Sequence, residues 1–190
     1  MPPKIKITKD TILREAIELV RNEGEGALNA RALAARIGCS TQPVFSNYPS
    51  MTELKNDIIL SAVEIYRNYT ETEIKSGKYP IYKASGMAYI RFAKEEKALF
   101  RMLLMRDRSK SEQENDEDVI PIRFIQDKFG LSLDMARLFH LEMWTFVHGI
   151  AVMYATSYLD LDEEIVSGML SDIFEGLKSR HLNTNGDNEI

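Results

Sequence analysis

Residues 29–54, NARALAARIGCSTQPVFSNYPSMTEL, read as two short helices about a tight turn with a third helix starting directly behind them. In the first helix Ala30, Leu33, Ala34 and Ile37 recur at spacings of three and four, which puts a small apolar stripe on one face. Gly38 ends it, because glycine adopts the left-handed backbone that a sharp reversal needs. Ser40 stands where a helix N-cap belongs, with a hydroxyl suited to accept from an orphan amide. The second helix is short and mostly polar outside; Val44 and Phe45 serve packing, while Thr41, Gln42, Ser46 and Asn47 point outward. Ser50 and Glu53 then form an S-x-x-E capping box at the head of a long helix through Leu54, Ile58, Ala62 and Tyr66.

A helix-glycine-helix pattern alone fits an ordinary helical hairpin, and it equally fits a DNA-reading helix-turn-helix whose second helix enters the major groove. More than the bare pattern is present. An amphipathic helix precedes it, with Ile12, Leu13, Ala16, Ile17 and Val20 on one stripe, and Gly24 and Gly26 break the chain between the two. Taken together, residues 8–54 resemble the N-terminal domain of the TetR family of one-component transcriptional regulators. An alanine-rich helix, a glycine turn, a Ser or Thr start and an aromatic-x-x-aromatic ending follow one another there as Leu33-Ala34, Gly38, Ser40 and Phe45-Ser46-Asn47-Tyr48 do here.

The resemblance implies a double-stranded DNA operator as partner, met through Ser40, Thr41, Gln42, Phe45, Ser46, Asn47 and Tyr48. Arg31, near a position from which some members reach DNA, is suited to guanine or phosphate. Lys4, Lys6 and Lys9 on the N-terminal arm can lie along the backbone or in the minor groove, or belong simply to a solubilising tail. Two positions depart from the family pattern. The first aromatic is commonly a tyrosine and is Phe45 here, leaving Tyr48 as the phenol for a phosphate; a common lysine is replaced by Met51. Loss of that cation removes a charge-assisted phosphate contact and lowers both affinity and its salt dependence.

The chain has 190 residues and a formal net charge of −5. Residues 1–55 hold eight Lys and Arg against six Asp and Glu, a net of +2, so the remainder carries −7. The acidic part is poorly suited to DNA, and local placement, not net charge, decides whether the first part binds it. An apolar content of 44% fits one large or two small globular domains. No run approaches the roughly 18 apolar residues of a membrane span and no signal-type h-region is visible, so the expectation is a cytoplasmic protein without membrane partners. Cys39 is the only cysteine, which excludes an internal disulfide and a cysteine-rich zinc site. It is expected to pack beside the turn.

Beyond Tyr66 the pattern stays helical. Gly77, Lys78 and Pro80 separate the long helix from one through Met87, Tyr89, Ile90 and Phe92, and a further helix covers Ala98 to Met105. Residues 106–119, RDRSKSEQENDEDV, lack an apolar period and read as a charged loop with helix resuming near its end. A segment at 122–129, the break at Gly130, two long helical segments at about 132–157 and 161–178, and a polar tail complete the chain. The expectation is an all-α fold: an arm and helix-turn-helix domain at 1–55, a helical effector-binding and dimerisation domain at 56–180, and a tail at 181–190.

Residues 139–154, FHLEMWTFVHGIAVMY, carry the second signal. Trp144, His148 and Gly149 resemble a Trp-x-x-x-His-Gly pattern of many TetR-like C-terminal domains. From the residues themselves, His140, Trp144 and His148 recur every four positions and share a helix face. Gly149, Ala151 and Ala155, with Met169 and Ile173 on the last helix, suit a four-helix interface between two copies. Met87, Phe92, Phe100, Met102, Leu103, Phe124, Met143, Trp144, His148 and Tyr154 form a pool suited either to a solid core or to an apolar or aromatic effector. His140, Glu142 and His148 have poor spacing for a metal, and none is expected, nor any other cofactor.

Enzyme signatures are missing. Gly24-Glu25-Gly26 begins like a dinucleotide loop, but Asn29 takes the place of the third glycine; no phosphate loop, H-E-x-x-H or G-x-S-x-G occurs, and three histidines offer little acid-base chemistry. The expectation is therefore a homodimeric repressor, not an enzyme, released from a pseudo-palindromic operator by a small effector. The alternative is a helical dimeric interaction module of the same fold that has lost DNA binding, motivated by Phe45 and Met51.

Overall fold

The computed structural model describes residues 7–105 and 116–183. Lys4 and Lys6 of the arm, most of the charged stretch after Met105 and the last seven residues lie outside them. The fold is all-α. The described residues form nine α-helices and a single 3-10 turn, with no strand: α1 Lys9–Glu23, the turn Glu25–Ala27, α2 Ala30–Ile37, α3 Thr41–Asn47, α4 Met51–Ser76, α5 Ile81–Glu95, α6 Lys97–Leu104, α7 Asp116–Phe129, α8 Leu133–Ala155 and α9 Glu163–Asn183. No helix among the described residues is long and apolar enough to cross a membrane.

Local chemistry accounts for the helix ends. Thr8 caps α1 by accepting from the Thr11 amide, and Asn29 caps α2 by accepting from the amides of Arg31 at 3.1 Å and Ala32 at 2.9 Å. Gly38 ends α2 at φ 77°, ψ 36°, the left-handed conformation expected of it, and the amides of Gly38 and Cys39 close back on Ala35 and Ala34. Ser50 Oγ accepts from the Glu53 amide at 3.2 Å ahead of α4. Ser40 precedes α3 with its backbone extended, but its side chain makes no capping bond, contrary to expectation.

The chain forms two compact units, and the division differs from a boundary after residue 55. Residues 7–67 belong with 96–105 in the first, and residues 68–95 with 116–183 in the second, so α4 contributes to both and α6 joins the first. In the first unit α1 packs on α2 and α6, and α2 on α3. Its core holds Ile12, Ala16, Leu19, Val20, Leu33, Val44, Tyr48, Leu54, Ile58, Leu99 and Phe100. A two-bond pair of Arg21 with Glu96, at 2.7 and 2.9 Å, ties the head of α6 to α1.

In the second unit α5 packs on α8 and α9, and α7 on α8. Gly86 permits close approach there: a Cβ at that position would lie 3.2 Å from Leu170 Cδ2. Buried Glu73 accepts from Arg91 Nη1 at 2.8 Å, satisfying a carboxylate that would otherwise be stranded. The last helix runs past the expected end at 178. His181 is buried, with Nε2 2.7 Å from Glu142 Oε2 and its ring against Phe139, and that anchorage carries α9 through Asn183.

Candidate nucleic-acid interface

The short helix α3 has two faces. Val44 and, four residues on, Tyr48, the residue that ends the helix, share the buried one, while Gln42, Phe45 and Ser46 form an exposed one. This exchanges the roles expected of the two aromatics. Phe45 does not serve packing but is 49% exposed. Tyr48 does not present an outward phenol: its ring is buried and its hydroxyl donates to Asp57 Oδ2 at 3.0 Å. The helical period sets the exchange, since a residue next to Val44 lies about 100° away from the buried line.

Asp57 gathers three helices. Lys9, at the start of α1, puts its ammonium 2.8 Å from the same Oδ2 and 4.8 Å from the centre of the Tyr48 ring. The ammonium, with a smaller contribution from the Tyr48 hydroxyl, holds the Asp57 carboxyl below the usual carboxylate range against the opposing effect of desolvation. Burial first, and then the bond to Asp57, push the Tyr48 phenol up. Asn47 is turned back on its own helix: its side-chain amide donates to Pro43 O at 2.8 Å and reaches Ile7 O at 3.5 Å. Asn47 and Tyr48 are therefore parts that fix α3 in place. Thr41 is half-buried and Ser40 exposed.

Charge is distributed unevenly over this unit. Arg36 pairs with Glu15 at 3.0 Å, Lys55 with Glu25 at 3.1 Å and Arg21 with Glu18 at 2.6 Å. Arg31 is exposed in the first turn of α2 and makes no ion pair with any described residue. Between Glu25 and Glu53 the chain has no acidic residue at all, although it has 29 elsewhere. The α2–α3 pair thus presents a surface with cationic and hydrogen-bonding groups and no carboxylate of its own. Met51 opens α4 half-buried. Cys39 is half-buried in the turn.

In the second unit the residues expected to hold an effector are largely core. Met87, Phe92, Met143 and Tyr154 are buried, and Phe124 and His148 are half-buried. Phe100, Met102 and Leu103, also buried, belong to the first unit through α6. Two shallow grooves occur on the first unit beside Leu13, one with Leu60 and Val63 and one with Ile17 and Ile65; neither is lined by any of these ten residues. Trp144 is more than a third exposed, its indole stacked on the His148 ring at 4.8 Å and 12°. The Tyr89 hydroxyl lies 2.8 Å from His148 Nδ1, and burial holds the imidazole below its usual value.

His140, Glu142 and His148 do not converge: His140 meets Tyr82, Glu142 meets Arg180 and His181, and His148 meets Tyr89. Among the described residues no cluster of potential ligands could hold a metal ion.

The small residues of α8 divide as Phe45 and Tyr48 do. Ala151 and Ala155 are buried within the chain and are not available to a second copy, a correction to their expected place in an interface. Gly149 is exposed with open space at its Cβ position, and Leu138, Leu141, Trp144 and Met153 are exposed along the same helix. On α9, Gly168 and Gly176 are exposed and Met169 and Ile173 half-buried. The sequence alone did not reveal the cap at Asn29, the anchoring role of Asp57, or the pairing of Glu142, weighed above only as a metal ligand, with Arg180 and His181. An Asn immediately before a helical stripe is a legible cap signal, whereas nothing local connects Asp57 to Lys9 or Glu142 to His181. In comparison with known proteins, the chain matches no family model and no curated sequence.

Proposed function

We propose that this chain is a homodimeric DNA-binding transcriptional regulator, a repressor of the TetR type that a small effector releases from a pseudo-palindromic operator. The observation that carries the reading is the α2–α3 pair: a left-handed glycine turn, an exposed face of Gln42, Phe45 and Ser46, an exposed Arg31 with no ion pair among the described residues, and no carboxylate between Glu25 and Glu53. Such a surface suits the groove and phosphates of a duplex, where a single buried carboxylate would be repelled. Arg31 supplies a phosphate or guanine contact, Gln42 a base contact, and Tyr48, Asn47 and Asp57 hold α3 at its angle without touching DNA.

Dimer formation is supported by the apolar outward side of α8. Leu138, Leu141, Trp144 and Met153 expose a row that a second copy would cover, with Gly149 allowing close approach. An apolar or aromatic effector would enter the second unit by displacing Met87, Phe92 or Met143 from the packed core, a state that the ligand selects because it binds that state better. Regulation follows only where that differential affinity reaches several kcal/mol.

The test is a gel shift of the full chain against the DNA upstream of its own gene at low and moderate salt. Retardation that weakens with salt is expected; no retardation at either salt refutes the regulator and favours an interaction module, for which exposed Phe45 is the motivating feature. Gln42→Ala should relax base preference at one position, and Arg31→Ala should reduce the salt slope by about 1 if the contact is to phosphate.

A further inference from the structure

Lys9, Lys55, Lys75, Lys78, Lys94 and Lys178 each hold a carboxylate oxygen within 3.1 Å. Lys83 differs: it makes no ion pair with any described residue. Its Nζ donates instead to the Ser171 hydroxyl on α9 at 2.8 Å and stands 5.0 Å from the centre of the Tyr79 ring. Ser171 Oγ gives its own proton to Ser167 O at 3.3 Å, which leaves its oxygen to accept from the amine.

Three features of this place disfavour the ammonium form. Lys83 is half-buried, which deprives a charge of hydration. It stands in the first turn of α5, where the helix dipole presents its positive end. A second ammonium, that of Lys78, lies 5.1 Å from the same ring, held by Glu163 at 2.6 Å beside the Tyr79 hydroxyl, which donates to the same carboxylate oxygen at 3.1 Å. Burial, opposed by the attraction of exposed Asp172, holds the Lys83 amine below the ordinary lysine value. An amine attacks a carbonyl only in its neutral form, so desolvation next to another cation is how a lysine becomes a nucleophile. We propose that Lys83 is an acylation site, an amine that acyl phosphates modify in preference to the exposed lysines of the chain. The Nζ lone pair attacks the acyl carbon and an N–C bond forms. The C–O bond to phosphate breaks, and phosphate leaves with that electron pair and takes up one amine proton. The product amide keeps one N–H for Ser171 and carries no charge.

The test treats the full chain with acetyl phosphate at neutral pH, stops the reaction at short times and quantifies acetylation of each lysine by peptide mass spectrometry, with a sample unfolded in urea run in parallel. Lys128, exposed on α7 in the same unit, is the internal reference. In the native chain Lys83 should be acetylated several-fold faster than Lys128, and in urea the two rates should converge. Asp172→Asn removes the attraction that opposes burial and should quicken Lys83 further while Lys128 stays unchanged; because Asp172 is exposed, circular dichroism of the variant should match the wild type. A native Lys83 rate at or below that of Lys128 overturns the proposal, since packing would then shield the amine. A preference that persists undiminished in urea, or an Asp172→Asn rate no higher than the wild type's, overturns it as well.

Discussion

Removing the Tyr48 hydroxyl tests whether that residue positions α3 or meets DNA. A hydrogen bond to a charged acceptor contributes about 1.5–3 kcal/mol. The bond at 3.0 Å goes to Asp57, but the carboxylate keeps Lys9 at 2.8 Å and its side chain is 28% exposed, so water can replace the lost donor. Tyr48→Phe should therefore cost about 1–1.5 kcal/mol, at or just below the lower limit of that range because solvent screens the pair. Tyr48→Ala, which empties a fully buried ring site, should cost about 3–5 kcal/mol.

The pH dependence of the Tyr48→Phe penalty identifies its origin. Asp57 has a depressed folded pKa, so its contribution is present above its unfolded value of about 3.9 and is lost as pH falls through the folded value. Tyr48 has a raised folded pKa, so its contribution is complete below about pH 10 and is lost as pH rises beyond that. The penalty, read as the difference between wild-type and variant stabilities in guanidinium unfolding followed by circular dichroism, should hold steady at neutral pH. It should shrink at both extremes. A difference that stays constant from neutral pH to well above 10, or is absent at neutral pH, refutes the positioning role.

Gly38→Ala forces a Cβ into the left-handed region at φ 77° where nothing else lies within 4 Å, so the cost is the backbone term alone, about 1–2 kcal/mol in the unfolding midpoint. Leu141→Glu on the outward side of α8 should give a monomer by light scattering with helicity unchanged, because Leu141 is exposed in the single chain; an unchanged dimer mass would remove α8 from the interface. Burial lowers the His148 pKa, so the second unit should lose stability as pH falls below about 6.5, where the unfolded imidazole protonates first. His148→Gln should flatten that slope, measured by thermal melts between pH 7 and 5, and an unaltered slope would assign it elsewhere.

Much of the first unit is legible in the residues. The stripe of Leu33 and Ala34, the stop at Gly38 and the start at Ser50 depend on partners within a few positions, and the helices form where those patterns place them. The capping bond expected of Ser40 does not form although its backbone is extended, which shows that an N-cap position does not guarantee the side-chain bond. The division of the C-terminal helices was harder to read. Met87, Phe92, Phe100 and Leu103 look alike as apolar residues, yet α6 packs on α1 while α5 packs on α8, and no periodicity distinguishes those destinations.

The sequence by itself determined the helical class, the glycine reversal and the acid-free run between Glu25 and Glu53, because periodicity, capping and charge are properties of neighbouring residues. Only tertiary structure decided which way each ambiguous side chain faces. Phe45 turns out and Tyr48 in because Asp57 on α4 and Lys9 on α1 claim the phenol from 9 and 39 positions away along the chain, and Gly149 stays exposed while Ala151 is covered because the packing of α5 and α9 selects one face of α8. Contacts between residues so far apart in sequence leave no local pattern, and they choose which face is left exposed.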